Sequence, residues 1–359
     1  MRRRAALTVA ALALTAASAR PALGASPPLT ARSAHAVHLP ADEAMHPSAT
    51  TEWWYVVGHL ADSAGRTYGF ETSFIKVSGL RHYFPGSPID TAYRADVAIT
   101  DEAAGRFHGG MSYAAPGLGT QLSTTQLNIK GGGISMRAEG PGRYALAGRT
   151  TDGNTIALTI TADRPVLMVG GGYIPWGNSG SYYYSYTHML ASGTITLNGK
   201  RIAVHGIAWH DHQWGTWDQT AVGAWTWMGV QLNDGTDVDL TVRRLRGRID
   251  RGASALLPND ATANVEGTTI TPTGTWYSTA TKLTYPSGWH VRIAALGIDL
   301  IVRPTVPSQE LVDSWKVFGY SQSYWEGSCI VTGTHNGKPV TGRSYAELVG
   351  TKSGGKAST

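Results

Sequence analysis

Hydrophobic and polar residues alternate in short runs along most of this chain, and turn signals separate the runs. Alternation with a period of two places successive side chains on opposite faces of a strand, so each run predicts a β-strand. The turn signals are rich in glycine and lie at 63–65, 131–133, 152–154, 197–199, 233–235 and 336–337. Helical periodicity is scarce, and its best candidate is a short segment at 308–315. The pattern therefore predicts an all-β protein.

The predicted strands fall into two groups. The first begins at 52–60 and continues through 66–76, 93–100, 182–186 and 201–214, whereas the second occupies 225–349 and includes 238–245 and 324–333. Each group has enough strands to close a barrel. We predict a signal peptide at 1–24, an extended lead-in at 25–47, a first barrel at 48–217, a second barrel at 218–352 and a flexible tail at 353–359.

The first residues are typical of an export signal. Met1 is followed by three arginines and by a run rich in Ala, Leu and Thr that ends at Ala19, with small-residue cleavage positions at 17–19 and 24–25. This run is too short to span a bilayer, and no later segment has the roughly 18 uninterrupted apolar residues of a transmembrane helix. We expect an exported protein that uses the general secretory route or, given Arg3 and Arg4, the twin-arginine route.

Charge and cysteine content exclude two classes of function. The formal net charge of +5 includes four arginines of the leader, so the mature chain is close to neutral and a nucleic-acid partner loses its main support. Cys329 is the only cysteine, which excludes an intramolecular disulfide and any metal or redox site of the CxxC type.

Candidate chemistry is concentrated in the segment AWHDHQWGTW at 208–217. On a strand, His210, His212 and Trp214 share one face, and Asp211 lies on the other. Two histidines on one face can bind a metal ion if a third ligand approaches, and His59, His188 and His205 are available. They can equally be core histidines packed against tryptophan, or an acid/base group whose pKa is set by burial and a nearby carboxylate. Five of the 12 tryptophans fall between 209 and 227, which favours the wall of an apolar cavity.

Several segments in order resemble one protein family. They are EWWYVVGHL at 52–60, YYYSYTHML at 182–190, AWHDHQWG at 208–215, WTWMGVQLNDG at 225–235, YWEGSCIVTG at 324–333 and GRSYAELVG at 342–350. The chain resembles the carotenoid 1,2-hydratase and AttH-like family, to which hydroxyneurosporene synthases, kievitone-type hydratases and lipocalin-like Diels-Alderases look related. The resemblance implies two lipocalin-like (calycin) β-barrels packed together around a deep apolar pocket.

The resemblance also implies roles for individual residues. The Asp-His-x-Trp segment of the family matches Asp211, His212 and Trp214, which become the candidate catalytic residues. A Tyr-x-Asp pair expected on a following strand falls at 237–239, where this chain has Asp237 in place of the tyrosine. His188 stands where the family has an arginine. The candidate substrate-binding residues are Trp54, Tyr184, Tyr186, His188, Trp217, Trp225, Trp227, Asp239 and Glu326.

Three functions remain open, and all of them take a hydrophobic small molecule. The first is a natural-product cyclase that promotes a [4+2] cyclisation of a polyene or polyketide in the pocket. The second is a hydratase that adds water to an isolated C=C bond of a carotenoid or another isoprenoid-like substrate, and the third is a lipocalin-type carrier without chemistry. The missing tyrosine favours the cyclase, because cycloaddition needs no proton-transfer residue. We expect no cofactor and no metal ion. Glu52, Glu71 and Glu326 are interpreted as structural carboxylates that bind backbone N–H groups or an arginine at a barrel rim.

Overall fold

The computed structural model describes residues 36–176, 179–217, 222–245, 247–314 and 322–350. The predicted signal peptide, the start of the lead-in, residues 218–221 at the predicted domain boundary and the predicted tail lie outside the described residues. Within the described ranges, no helix is both long enough and apolar enough to cross a membrane.

The first sheet has 12 antiparallel strands in the order β4-β3-β2-β1-β12-β11-β9-β8-β7-β6-β5, and β10 pairs with β11. A single short helix, α1 (Leu80–Tyr83), follows β2. The strands are β1 (Thr51–Ala61), β2 (Thr67–Ser78), β3 (Thr91–Asp101), β4 (Arg106–Ala114), β5 (Gln121–Leu122), β6 (Asn128–Gly131), β7 (Ile134–Gly140), β8 (Arg143–Arg149), β9 (Thr155–Ala162), β10 (Leu167–Trp176), β11 (Ser179–Leu197) and β12 (Lys200–Thr216).

The second sheet has ten antiparallel strands in the order β16-β15-β14-β13-β24-β23-β21-β20-β17, with β22 beside β23, and β18 and β19 form a separate pair. A 3-10 turn at Ala294–Leu296 precedes β21. The strands are β13 (Val222–Leu232), β14 (Asp237–Leu245), β15 (Arg248–Leu256), β16 (Thr262–Glu266), β17 (Thr269–Pro272), β18 (Thr275–Tyr277), β19 (Thr284–Pro286), β20 (Trp289–Ile293), β21 (Ile298–Pro304), β22 (Glu310–Leu311), β23 (Tyr324–His335) and β24 (Lys338–Val349). The all-β class and the two packed lipocalin-like barrels are confirmed.

Two of the predicted turns connect long hairpins, and their backbone shows why asparagine and glycine are there. Asn198 and Gly199 between β11 and β12 have φ values of 51° and 79°, and Asn336 and Gly337 between β23 and β24 have φ values of 50° and 74°. Both positions of each turn are left-handed, a conformation that Asn and Gly adopt at the lowest cost. These turns set the register in which β11 pairs with β12 and β23 pairs with β24.

Strands β1 and β12 are buried on both faces because they lie between two cores. Trp54 and Val56 belong to the core of the first barrel, whereas Tyr55 and Val57 pack with Trp227 in a cluster between the barrels. A separate core fills the second barrel. This double burial explains why the segment at 52–60 is a nearly continuous apolar run instead of a strict alternation.

Two sequence expectations differ from the structure. The predicted helix at 308–315 is wrong, since its described part contains strand β22. Leu311 of this strand packs against Tyr324 between the barrels. The buried carboxylate of Glu310 accepts a hydrogen bond from Tyr285 at 2.7 Å. The described part of the lead-in is not uniformly extended, since Ala41–Glu43 form a 3-10 turn. Its Glu43 reaches into the first barrel and accepts a hydrogen bond from Tyr144 at 2.6 Å.

Candidate active site

A cavity of about 950 Å³ lies between the two sheets. Both sheets supply its aromatic walls, which include Trp53, Trp176, Trp217, Trp225 and Trp227. The rings of Trp176 and Trp217 are stacked with centroids 5.2 Å apart, and Trp53 meets Trp217 edge to face at 5.8 Å. This volume is at the upper end of the range for small-molecule sites, so the cavity can enclose a large apolar ligand.

The alternation of β12 divides the candidate catalytic residues between two compartments. Asp211 lines the cavity, together with Gln213. His212 and Trp214 point the other way, where Trp214 belongs to the core of the first barrel. Side chains on opposite faces of a strand cannot act on the same atom of a substrate. The carboxylate of the motif, and not its histidine, therefore faces the cavity.

Three side chains from three strands form an acid centre in the cavity wall. The hydroxyl of Tyr183 on β11 lies 2.6 Å from Asp211 Oδ2 and 2.9 Å from Asp239 Oδ2 on β14. A phenol has one hydrogen and can donate it to only one of these oxygens. A second hydrogen bond at this hydroxyl requires a proton on the other carboxyl group. The geometry therefore fits a pair of aspartates that retains a proton.

Burial and charge explain why this pair holds a proton. Burial raises the pKa of Asp211, and the charge of Asp239 raises it further; burial also raises the pKa of Asp239. Indole donors hold both groups in place, since Trp209 Nε1 lies 2.5 Å from Asp211 Oδ1 and Trp227 Nε1 lies 2.7 Å from Asp239 Oδ2. Burial raises the pKa of Tyr183 as well, so its hydroxyl stays neutral.

A tyrosine hydroxyl reaches Asp239 from another strand, that of Tyr183, while position 237 of this chain is an aspartate. Asp237 accepts hydrogen bonds from Arg164 and from Thr187, each at 2.9 Å, and it joins a loop of the first barrel to the second. Sequence reasoning missed Tyr183. The available signal was the alternation at 182–186, which places Tyr183 and Ser185 on one face and Tyr184 on the other.

His212 lies inside the first barrel in a network around a buried glutamate. Its Nε2 is 3.1 Å from Glu52 Oε1 and its Nδ1 is 3.3 Å from the hydroxyl of Tyr184. The ring stacks on Trp54 at 4.7 Å, and burial lowers its pKa. Glu52 also accepts from the backbone N–H of His46 at 3.0 Å, in agreement with its interpretation as a structural carboxylate.

The same network contains a possible set of metal ligands. One ligand atom each from His46, Glu52 and His212 lies within 4.8 Å of the others. However, His46 Nδ1 is 2.8 Å from Glu52 Oε1, a hydrogen-bond distance, and the ammonium of Lys76 lies 3.6 Å from Glu52 Oε2 and supplies positive charge there. His210 is outside this group and contacts the carbonyl of Tyr55 at 3.1 Å. The expectation that no metal is needed stays a prediction.

The structure brings four of the predicted substrate-binding residues to the cavity and places the others elsewhere. Trp217, Trp225, Trp227 and Asp239 line the cavity. Trp54, Tyr184 and Tyr186 belong to the core of the first barrel. His188 Nδ1 lies 2.8 Å from Asp163 Oδ1, and Glu326 is buried between the barrels.

Glu71 and Glu326 are not at a barrel rim, which corrects that part of their interpretation. Both are fully buried between the barrels and are bound by tyrosine hydroxyls: Tyr324 lies 3.1 Å from Glu71 Oε1, and Tyr55 lies 2.7 Å from Glu326 Oε1. Burial raises the pKa of both carboxyl groups. One oxygen of each carboxyl group is bound by a tyrosine, whereas Oε2 of each is buried without a hydrogen-bond partner among the described residues.

Comparisons with known proteins agree with this architecture. A family model described as AttH-like matches residues 30–351. An AttH structure from Nitrosomonas europaea is similar at a TM-score of 0.77 and 27% identity, covering 88% of this chain and 98% of that one. Kievitone hydratase from Nectria haematococca is similar in fold, with a TM-score of 0.70 and 19% identity over 87% of this chain and 92% of that one. The structure of CghA with Sch210972 has a TM-score of only 0.49 and 12% identity, over 87% of this chain and 95% of that one. Among curated proteins, none matches the sequence significantly.

Proposed function

This chain belongs to the AttH-like family, and from that premise we propose that it adds water to a C=C bond of a hydrophobic small molecule bound in the cavity between the barrels. One observation carries the proposal: Tyr183 joins Asp211 and Asp239 into a proton-holding pair in an aromatic wall. Protonation of an isolated alkene needs a positioned general acid that still carries its proton, and a carboxyl group kept neutral by burial meets this requirement at neutral pH.

The proposed reaction begins with proton transfer. A carboxyl group of the pair donates its proton to one carbon of the double bond, and the π electrons form the new C–H bond. A cation remains on the neighbouring carbon. Water then forms a C–O bond to that carbon and releases a proton to the carboxylate, which restores the acid. The sum is one molecule of water added, with no oxidation or reduction.

The aromatic walls suit such a cation. Trp225 and Trp227 line the cavity on the strand next to Asp239, and Trp227 holds Asp239 by a hydrogen bond of 2.7 Å. A cation over the face of an indole ring is stabilised by about 2 kcal/mol or more when water is excluded. The same rings limit the access of bulk water to the intermediate.

Cyclisation is the second candidate, and the volume of about 950 Å³ is the observation that favours it. A cavity of this size holds a long polyene folded on itself, which brings distant double bonds together. A [4+2] cyclisation would then need only confinement, with Tyr183 or a carboxyl group as the donor that polarises a carbonyl.

The purified protein should be incubated with extracts of its own producer or with an intermediate from a pathway knockout, followed by mass spectrometry. A product heavier by one water supports hydration, and a product of equal mass supports cyclisation. Bound ligand recovered with the mass and the chromatographic retention time of the starting compound, and without any product, supports the carrier and contradicts both enzymatic proposals. Running the reaction in H₂¹⁸O should place one ¹⁸O in a hydration product.

Asp239→Asn should abolish water addition, whereas Asp237→Asn should keep it in the folded fraction. Both variants replace a buried carboxyl group on the same strand, but only Asp239 contacts Tyr183 in the cavity. Equal losses in the two variants would contradict the proposed role of the acid centre.

A further inference from the structure

One face of β14 extends the acid centre along the cavity. Asp239, Thr241 and Arg243 are two residues apart, and all three line the cavity. A strand rises about 3.3 Å per residue, so the backbone positions of Asp239 and Arg243 are separated by about 13 Å. An acid and a guanidinium therefore lie in the same cavity at a spacing set by a rigid strand.

Arg243 lies over an aromatic ring. Its guanidinium carbon is 4.5 Å from the centroid of the Trp176 ring, and Trp176 in turn stacks on Trp217. A guanidinium has five N–H donors and can bind a carboxylate through two parallel hydrogen bonds. Contact with the Trp176 ring restricts where this group can lie in the cavity wall.

The positive charge of Arg243 is incompletely balanced. Its Nη1 is buried and has no hydrogen-bond partner among the described residues, and its Nη2 is 3.5 Å from Asp250 Oδ2, at the limit of a hydrogen bond. Asp250 is bound more closely by Arg248, whose Nε lies 2.9 Å from Oδ1. Two arginines thus share the carboxylate of Asp250 beside the cavity.

Arg94, a second arginine in the cavity wall, is paired more closely with a carboxylate than Arg243 is. It also lines the cavity, and its guanidinium carbon lies 5.2 Å from the centroid of the Tyr324 ring. However, Arg94 Nη2 is only 2.9 Å from Asp96 Oδ2, and Asp96 is fully buried. Arg94 Nε, like Arg243 Nη1, has no hydrogen-bond partner among the described residues, but the charge of Arg94 is paired at 2.9 Å and that of Arg243 only at 3.5 Å, so Arg243 is the better site for an anionic ligand.

We propose that Arg243 binds an anionic group of the substrate, a carboxylate or an ionised acidic enol, and thereby places a C=C bond farther along the same chain at the acid centre. This inference rests on the proposed function, because it specifies the substrate class for the same cavity. The substrate is then an amphipathic chain with one acidic end. Arg243 acts as a specificity-determining residue and takes no part in proton transfer.

The test compares cis-parinaric acid with its methyl ester, two fluorescent polyenes that differ only in the charge of one end. Dissociation constants are measured by fluorescence titration at pH 7.5 on the full chain. Wild-type protein should bind the acid about tenfold more tightly than the ester. Arg243→Gln should lose this preference while its affinity for the ester stays within about twofold. Arg243→Lys should retain part of this preference, because lysine keeps the positive charge but lacks the planar pair of N–H donors of a guanidinium.

Arg244→Gln is the matched control, since Arg244 is adjacent on β14 but exposed on the other face. It should keep the preference for the acid. The proposal is overturned if wild-type protein binds acid and ester equally or binds neither, if Arg243→Gln weakens both probes equally while folded, or if Arg244→Gln has the same effect. Asp239→Asn separates the two proposals: it should lose water addition but keep the preference, so either result can fail without the other.

Discussion

Tyr183→Phe removes one oxygen from the centre of the acid pair and leaves the ring in place. The lost hydroxyl contacts Asp211 at 2.6 Å and Asp239 at 2.9 Å, and both carboxyl groups are buried. Leaving a buried polar group without its partner costs about 1–3 kcal/mol of stability. If the hydroxyl positions the proton for transfer, turnover should fall on the order of 10²-fold.

The pH dependence gives a readout that a structural role would not change. The hydrogen bond from Tyr183 stabilises the ionised carboxylate that accepts it and so lowers the pKa of the pair, and removing it should raise that pKa. The reactive form is the neutral acid, so activity is lost as pH rises through the pKa of the pair. The alkaline limb of the rate profile should therefore move to higher pH in Tyr183→Phe, even though its maximum rate is lower.

Tyr184→Phe is the control, because it makes the same substitution at the next residue on the opposite face. Its hydroxyl contacts His212 at 3.3 Å inside the first barrel and does not reach the cavity. Turnover per folded molecule and pH profiles are to be measured for both variants, with circular dichroism to count the folded fraction. Wild-type turnover and an unshifted alkaline limb in Tyr183→Phe would refute the assignment of the acid centre.

Three further predictions follow from the two compartments. His212→Gln should lose about 1–3 kcal/mol of stability but keep turnover per folded molecule, since His212 lies inside the first barrel; a loss on the order of 10²-fold in well-folded protein would contradict this. Trp227→Ala and Trp214→Ala should each cost about 3–5 kcal/mol in chemical denaturation, yet only Trp227→Ala should weaken binding of a polyene probe, because only Trp227 lines the cavity. Thermal unfolding should occur at a lower temperature at pH 9 than at pH 5. Burial raises the pKa of Glu326, and it raises the pKa of Glu347 to about 7. A carboxyl group whose pKa is higher in the folded than in the unfolded chain contributes stability at low pH, and this contribution is lost as the pH rises through the folded-state pKa. A melting temperature that rises over this interval would show that other groups dominate.

Local sequence was sufficient to predict the elements and their turns. Alternation gave the strands, and Asn-Gly pairs at 198–199 and 336–337 gave two hairpins, because these features depend on residues close together in the chain. The division of the motif at 208–217 into two faces was also predictable. The segment at 308–315 was not, since burial of Glu310 and Leu311 against distant residues decides its conformation.

Which face of β12 meets the cavity was decided by tertiary structure. Both faces of that strand are buried, so neither hydropathy nor residue type shows whether His212 or Asp211 faces a ligand. The alternation of side chains along a strand establishes only that His212 and Asp211 lie on opposite faces. Packing of the second sheet against the first then places Asp239 beside Tyr183, 56 positions earlier in the chain, and forms the acid centre. A contact between two sheets depends on how they are positioned in space, and no local pattern in either strand encodes that position.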